Sequence, residues 1–305
     1  MLQNVSALPD KLLGLSQALP WPFRSRVWDA LQGHYRKRGR TTGEVTRIHF
    51  GEIEIAAPLD HPAVYWRYSP QFNQNYVLVA RQVSEYRSGL IVDVGANIGD
   101  GVALLRSAGV DAPILAIEGA DIWWSLLCAN TSTLSDVELE HTFLGASDNG
   151  IGLDLHVQDG SSRLIQGGRE VTITSLDNLL ARRADRPIAM LKTDTDGFDL
   201  KVLLGAKRIL IGQHPVLFCE IDEGLLHDQG NSSAEFVEHL SCCDYHMLAI
   251  WDNYGRWLGS RPVAQGLRDF IERYPGGPDT PYLDVAAFAQ RDWLRFTPPA
   301  GEALQ

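Results

Sequence analysis

The sequence predicts an α/β protein built on an open, mostly parallel sheet with helices on both faces. Three observations predict it. From Leu90 onward, short continuous apolar runs alternate with helical stretches, as buried parallel strands joined by crossover helices do. The first run leads into a glycine-spaced turn, Gly95-Ala96-Asn97-Ile98-Gly99. An acidic residue, Glu118, follows the second run, at the spacing of about 20 residues seen where a strand–turn–helix unit holds a ribose.

Ahead of that pattern, residues 1 to 45 are expected to form one or two short helices broken by Pro20 and Pro22. Leu12, Leu13, Leu15 and Leu19 offer one apolar face, and Val27, Trp28 and Leu31 another. Phe50–Ala56 alternates apolar and polar residues, as a half-buried strand does. Residues 57–75 read as an ordered loop and Tyr76–Tyr86 as a helix.

Core strands are expected at Leu90–Val94, Ile114–Ile117, Leu139–Leu144, Ile188–Leu191 and Val216–Cys219. Helices are expected at Gly101–Ser107, Ile122–Asn130, Leu176–Arg182 and Leu200–Leu210. Between the third and fourth strands, Gly152–Val157 and Glu170–Thr174 alternate around Asp159-Gly160-Ser161-Ser162. That predicts a β-hairpin insertion. Two further strands, Tyr245–Trp251 and Leu283–Ala289, flank a turn-rich segment, Tyr274-Pro-Gly-Gly-Pro278. The chain thus divides into an N-terminal helix-and-strand extension (1–75) that caps the substrate, a main domain (76–296) and a frayed tail (297–305).

With 305 residues and 45% hydrophobic content, the chain has material for a full core. Its net charge of −11 would repel a phosphate backbone and argues against nucleic acid as partner. The basic stretch Arg36, Lys37, Arg38 and Arg40 reads as a solvated helix end, with contact to an anionic ligand or membrane surface as the alternative. Four cysteines, Cys128, Cys219, Cys242 and Cys243, match no zinc pattern, and adjacent thiols suit no ordinary disulfide. They read as free thiols in a reducing compartment. No basic start with an apolar run opens the chain, and no stretch nears the ~20 apolar residues of a membrane span. A cytoplasmic protein is expected.

The turn after Leu90–Val94 carries the chemistry. Gly95 lets the backbone bend where a Cβ would clash, and Gly99 permits close packing at the start of a helix whose free N–H groups face a ligand. Dinucleotide sites place a further glycine between these two to admit the pyrophosphate. Here that place is Asn97, and Asp93 adds negative charge. An ammonium and a sulfonium are better tolerated there than two phosphates, so S-adenosylmethionine (SAM) is favoured over NAD. Glu118 accepts ribose hydroxyls in either case.

Read with later segments, these residues resemble the FkbM family of SAM-dependent methyltransferases. The resemblance rests on Asp93-Val-Gly-Ala-Asn-Ile-Gly99, Glu118, Asn130 and Ala146-Ser147-Asp148. It continues through Thr174-Ser-Leu-Asp177, Leu191-Lys-Thr-Asp-Thr-Asp-Gly197, Gly205-Ala206 and Glu220, covering residues 75 to 225 in order. Gly119 stands where the family has proline; Asp196 and Asp199 stand for glutamates, keeping charge but shortening reach. The resemblance implies the Rossmann-like class I methyltransferase fold, with a seven-stranded, mostly parallel sheet carrying one antiparallel strand at its edge. It implies a cofactor site of Asp93, Gly95, Ala96, Asn97, Gly99, Glu118, Gly119, Ala146 and Ser147. It also implies O-methylation of a sugar, glycan precursor or polyketide-like natural product.

Transfer from a sulfonium is an in-line displacement, so the protein must align the acceptor oxygen, exclude water and remove a proton. Ligands of open α/β sheets lie at the carboxyl ends of the strands, where Lys192-Thr193-Asp194 ends the fourth. Asp194 is expected as general base or substrate anchor, with capping of the next helix as the alternative. Asp196, for which capping is equally open, is expected to share a substrate or a metal. Lys192 orients a carboxylate or offsets charge, and Glu220 with Asp222 completes an acidic rim. Asp194 and Asp196 are also the pair for Mg²⁺, a reading the sequence does not favour. Of His141, His214, His227 and His246, His227 is the best placed, after the fifth strand. One ring of Trp123-Trp124 is expected near adenine. Tyr65, Trp66, Tyr68, Phe72 and Tyr76 read as a lid or as packing of the extension, and Ser161, Ser162 and Arg163 as acceptor contacts or a plain turn.

Two rival functions stand beside a small-molecule or glycan O-methyltransferase. Asn97 and the lack of a Tyr-x-x-x-Lys pair argue against an NAD-dependent oxidoreductase. The retained acidic strand ends argue against a catalytically inactive SAM-binding module. The acceptor's identity and the oligomeric state stay open.

Overall fold

The computed structural model describes residues 23–66, 72–148, 150–158, 160–183, 186–273 and 282–299. Helix α1 (Phe23–Thr42) leads into a hairpin, β1 (Val45–Phe50) and β2 (Ile53–Pro58), then α2 (Pro62–Trp66) and α3 (Gln74–Tyr86). The core alternation starts with β3 (Leu90–Val94), α4 (Asp100–Ser107), β4 (Ile114–Glu118), α5 (Asp121–Thr131) and β5 (Val137–His141). Strand β6 (Phe143–Leu144) opens an insertion whose hairpin is β7 (Gly150–Gln158) and β8 (Ser161–Thr174). The alternation resumes with α6 (Leu176–Ala181), β9 (Ile188–Thr193), α7 (Asp199–Leu204), α8 (Lys207–Gln213), β10 (Val216–Ile221), α9 (Glu223–Asp228) and α10 (Ser233–Cys242). The chain closes with β11 (Met247–Asp252), β12 (Trp257–Pro262), α11 (Arg268–Arg273), β13 (Leu283–Phe288) and α12 (Gln290–Trp293).

The main sheet has the order β12-β11-β13-β10-β9-β3-β4-β5. Strands β10, β9, β3, β4 and β5 are parallel, and β13 runs against both β10 and β11. This is the class I methyltransferase α/β fold. Two details of the expectation are corrected. The sheet has eight strands rather than seven, and two rather than one run against the rest, β13 inside the sheet and β12 at its edge. The extra strand arises because Asp252 organises a tight turn. Its Oδ1 accepts from Tyr254 N and Arg256 N, both at 3.0 Å, and its Oδ2 from Arg256 Nε at 2.7 Å. Trp257–Pro262 is thereby folded back onto β11.

The continuous apolar runs have a direct cause: each core strand is buried on both faces. On β3, Ile91 joins a core layer with α3, α4, α5 and the N-terminal hairpin. Its neighbours Leu90 and Val92 join the opposite layer, built with α6, α7, α8 and α10. The same alternation runs along β4 through Ala116 and Leu115, and along β10 through Phe218 and Leu217. Burial at about 1.5–3 kcal/mol per large apolar side chain therefore acts on nearly every residue of the central strands.

Several expected boundaries move. Of Phe50–Ala56, Phe50 ends β1, Gly51 and Glu52 form the turn with Gly51 at φ 55, and Ile53–Ala56 lies in strand β2. Helix α1 is a single helix of 20 residues. The expected third strand breaks after His141, and Leu200–Leu210 splits at Gly205-Ala206. A Cβ on Gly205 would lie 2.0 Å from the Gly145 carbonyl oxygen, so the chain bends where two backbones touch. The β7–β8 hairpin forms as expected, β8 also pairing with β6. The apolar face of residues 12–19, Tyr68 and the segment 274–278 lie outside the described residues. All four cysteines are free thiols. No helix among the described residues is long and apolar enough to cross a membrane.

Candidate active site

The carboxyl ends of β3, β4, β9 and β10 and the start of β13 surround a cavity of about 470 Å³, within the range of small-molecule sites. Its floor is the glycine turn. Gly95 has φ 79, and a Cβ there would stand 2.0 Å from the Asp194 carbonyl oxygen. Strand ends β3 and β9 therefore meet at a point that only glycine permits. Gly99, also left-handed at φ 84, begins α4, and a Cβ there would press on Leu127 and Thr131 of α5.

Asn97 does more than leave out a glycine. It adopts φ 49, a conformation asparagine tolerates better than most residues. Its backbone N–H donates to Glu118 Oε2 at 2.9 Å. Its side-chain Nδ2 donates to the Gly160 carbonyl at 2.9 Å, and its Oδ1 faces His61 Nε2 at 3.2 Å. One residue thus ties the turn to the insertion hairpin and to the N-terminal segment. Glu118 Oε1 accepts from Ala120 N at 2.7 Å. Burial raises the Glu118 carboxyl's pKa, and these backbone donors oppose the rise. Burial lowers His61, which favours the neutral ring.

Beside the turn, Lys192 Nζ lies 3.0 Å from Asp93 Oδ1 and 3.4 Å from Asp194 Oδ2. Asp93 is 1% exposed, so Lys192 is the counter-charge that permits its burial. Burial opposes the charge on Lys192, yet Asp93 and Asp194 raise its pKa well above the usual range.

The remaining wall is acidic. Asp93, Asp100, Glu118, Asp194, Asp196, Glu220 and Asp284 all border the cavity, facing only Arg36 and Lys192 as cations among the described residues. Burial, reinforced by Asp194, Asp196, Asp284 and Asp199, holds Glu220 well above the carboxylate range. Burial pushes Asp284 up to about 7, while a hydrogen bond from Asn75 Nδ2 (2.6 Å) opposes the rise. Asp199, at the start of α7, is likewise pushed up to about 7, by burial and by the charges of Asp194 and Asp196. Its Oδ2 accepts from Gly197 N at 3.3 Å.

The structure brings together Asp93, Gly95, Ala96, Asn97, Glu118, Gly119, Lys192, Asp194, Asp196 and Glu220 around this cavity. Gly99 packs behind it. Ala146 and Ser147 do not border it. Both are exposed, because the chain turns away after β6 into the hairpin. Asp148 instead accepts from Ser175 N, Thr174 Oγ1 and Asn178 Nδ2, which anchors the start of α6. Thr142, Phe143 and Leu144 border the cavity in place of that pair. Asp222 caps α9 through Leu225 N at 3.0 Å, and His227 is exposed on that helix. Trp123 is buried against the His61 ring, and Trp124 stacks on His141 at 4.5 Å. Of the expected lid, Phe72 and Tyr76 border the cavity, while Tyr65 is buried with its hydroxyl accepting from Arg36 Nε. Ser162 borders it, whereas Arg163 pairs with Asp228.

Sequence reading missed His61, Asn75, Gly160, Tyr282 and Asp284, all of which border the cavity or its rim. Asn75 and Asp284 are 209 positions apart, and no local spacing signals their meeting. Among the described residues, no group of three or more histidine, cysteine, aspartate or glutamate side chains has metal-holding geometry.

Residues 93–247, just over half of the chain, match the family model described as the methyltransferase FkbM domain. No curated protein matches. Many solved structures resemble the chain, among them three methyltransferases. The methyltransferase FkbM of Methylobacillus flagellatus KT is 20% identical over 65% of this chain and 43% of its own, with a TM-score of 0.37. This chain therefore spans less than half the length of that protein. Precorrin-6y C5,15-methyltransferase of Geobacter metallireducens GS-15 is 11% identical over 70% of this chain and 88% of its own, with a TM-score of 0.38. An rRNA methylase of Streptococcus thermophilus is 14% identical over 69% of this chain and 93% of its own, with a TM-score of 0.37.

Proposed function

The chain belongs to the FkbM methyltransferase family, and from that premise we propose that it is SAM-dependent and methylates a hydroxyl of a small molecule or glycan. The observation that carries the cofactor is the charge of the cavity. Seven carboxyl groups face Arg36 and Lys192, and Lys192 is engaged by Asp93 and Asp194. Burial keeps Glu220 protonated and raises the pKa of Asp100, Glu118 and Asp284, yet the wall still holds more carboxyl groups than cations, which favours a cationic ligand over a pyrophosphate and disfavours NAD.

The residues fit the cofactor. A Cβ at Gly95 would meet the Asp194 carbonyl oxygen, so glycine lets the turn after β3 close on the end of β9 and brings the turn and Asp194 to one side of the cavity. Asp93, Gly95, Ala96, Asn97, Glu118 and Gly119 would hold the cofactor, Glu118 using the lone pairs that the Asn97 and Ala120 N–H groups leave free. When bound, the cofactor supplies a methyl group already activated by a sulfonium. The chain's own residues do the rest. Asp194, Asp196 and Glu220 orient the acceptor. Residues 1–75 act as a cap on the domain of 76–296, supported by His61, Pro62 and Phe72 at the cavity wall. With the turn at Gly160, the cap excludes water. No metal is invoked. A sugar, glycan precursor or polyketide-like acceptor suits a wall of carboxyls interleaved with Phe72, Tyr76, Phe218 and Tyr254, and the net charge of −11 disfavours a polyanion. The same reading puts the enzyme in the cytoplasm, where its four thiols stay reduced.

Calorimetry tests the cofactor. SAM binds the wild type and NAD does not, and Gly95→Val abolishes SAM binding. Binding of NAD in place of SAM would sink the reading. Transfer of tritiated methyl from SAM into a deproteinised cell extract tests turnover, and its absence in a SAM-binding protein would favour the inactive module.

A further inference from the structure

We propose that Asp284, one oxygen of which is held by Asn75, is the base that takes the proton of the acceptor hydroxyl. The proposal rests on the methyltransferase reading above. Strand β13 runs antiparallel to β10 with Asp284 directly opposite Glu220. Opposite residues of such a pair point to one face of the sheet, and both border the cavity. Two carboxyl groups placed side by side in a buried site do not ionise together, so the pair carries one proton over a broad pH range.

The surroundings decide which member keeps it. Asp284 Oδ2 accepts from Asn75 Nδ2 at 2.6 Å. The amide is oriented by its own Oδ1, which accepts from Tyr76 N at 3.0 Å, so Nδ2 is the end that faces Asp284. No donor engages Glu220 among the described residues. A hydrogen bond to the ionised form favours that form. Asp284 therefore ionises first and Glu220 keeps the proton.

Charges facing Asp284 come from each packed element: Glu220 on β10, Lys192 and Asp194 on β9, and Asp252 on β11, itself paired with Arg256. Tyr282 precedes it by two residues. The balance leaves Asp284 near 7, where a general base operates best in neutral solution. Asp194 and Asp93, by contrast, are ion-paired with Lys192 and serve as its counter-ions.

In the step, the hydroxyl proton moves to Asp284 Oδ1 as an oxygen lone pair forms the new carbon–oxygen bond. The carbon–sulfur bond breaks, and its electron pair stays on sulfur and cancels the sulfonium charge. No other reactant is required.

Two measurements test the assignment. The first is a difference-infrared titration of the cofactor-free protein, following carboxylate bands from about pH 5 to about pH 9. Because Asp199 is also pushed up to about 7, the titration is run in an Asp199→Asn background, where one carboxyl titrating near 7 is expected. It should be absent in Asp284→Asn and moved upward in Asn75→Ala, where the ionised form has lost its donor. The second is the rate of tritiated-methyl transfer from SAM into a deproteinised extract over the same range. The rate should rise through the same pH and fall by about 10²–10³-fold in Asp284→Asn. A cooperative thermal melt and retained binding of SAM by calorimetry certify the fold of the variant. A titration that persists in Asp284→Asn overturns the assignment, and so does a variant that keeps the wild-type rate and pH limb. Loss of that limb in Asp194→Asn alone transfers the role to Asp194. A wild type that binds SAM and labels nothing overturns the methyl-transfer reading and this assignment with it.

Discussion

Asp93 and Lys192 depend on each other, and that dependence can be measured. Asp93 is all but excluded from solvent, and Lys192 Nζ at 3.0 Å is its cation. Removing one member of a buried pair leaves an uncompensated charge and costs about 3–5 kcal/mol, whereas replacing both with neutral groups costs far less. Lys192→Met is expected to destabilise the fold by that amount in urea. Asp93→Asn combined with Lys192→Met should recover most of it. Equal loss in the single and double variants would mean that packing of the lysine stem, not charge, is what matters. The pair also explains why Lys192 is no proton shuttle: its pKa is held well above the usual range.

Among the elements, α7 carries a pH-sensitive start. Asp199 is buried there, and its carboxyl is pushed from 3.8 up to about 7. An acid raised in this way binds its proton in the folded state after the unfolded chain has lost it. Its contribution to stability therefore falls as pH rises from 3.8 to about 7 and is level above that. Asp199→Asn removes the dependence. The substitution should stabilise the protein more at pH 8 than at pH 5, by about 2–3 kcal/mol on the order-of-magnitude conversion of pKa to free energy. Thermal or urea unfolding at the two pH values checks it. An identical effect at both would show that the carboxyl titrates normally. Asp284 shares the sign and the window, so the variant reduces the pH dependence without abolishing it.

For the molecule as a whole, the question is how three separate segments close one site. The insertion hairpin pairs with itself and with β6 and adds no strand to the main sheet, yet its Gly160 carbonyl takes the Asn97 amide at 2.9 Å. Replacing residues 151–170 by a two-residue turn should leave cooperative unfolding of the sheet intact. SAM affinity should weaken about fivefold, the worth of roughly one net hydrogen bond. Calorimetry and a thermal melt check both halves, and unchanged affinity would show that the hairpin serves only the acceptor. Much of this architecture was legible in the chain. Leu90–Val94 and Ile114–Ile117 read as strands because burial on both faces leaves an unbroken apolar run. The turn from Gly95 to Gly99 read as a cofactor loop because backbone conformation there demands particular residues. These are local demands, and local sequence records them. The eighth strand was not legible, because Trp257–Pro262 pairs only once Asp252 has folded the turn before it. Asp284, Asn75 and His61 were not legible either. They serve the cavity only because β13 is inserted between β10 and β11 and the N-terminal segment docks beside Asn97. Meetings across two hundred residues are set by how layers pack, and packing leaves no spacing in the chain to be read.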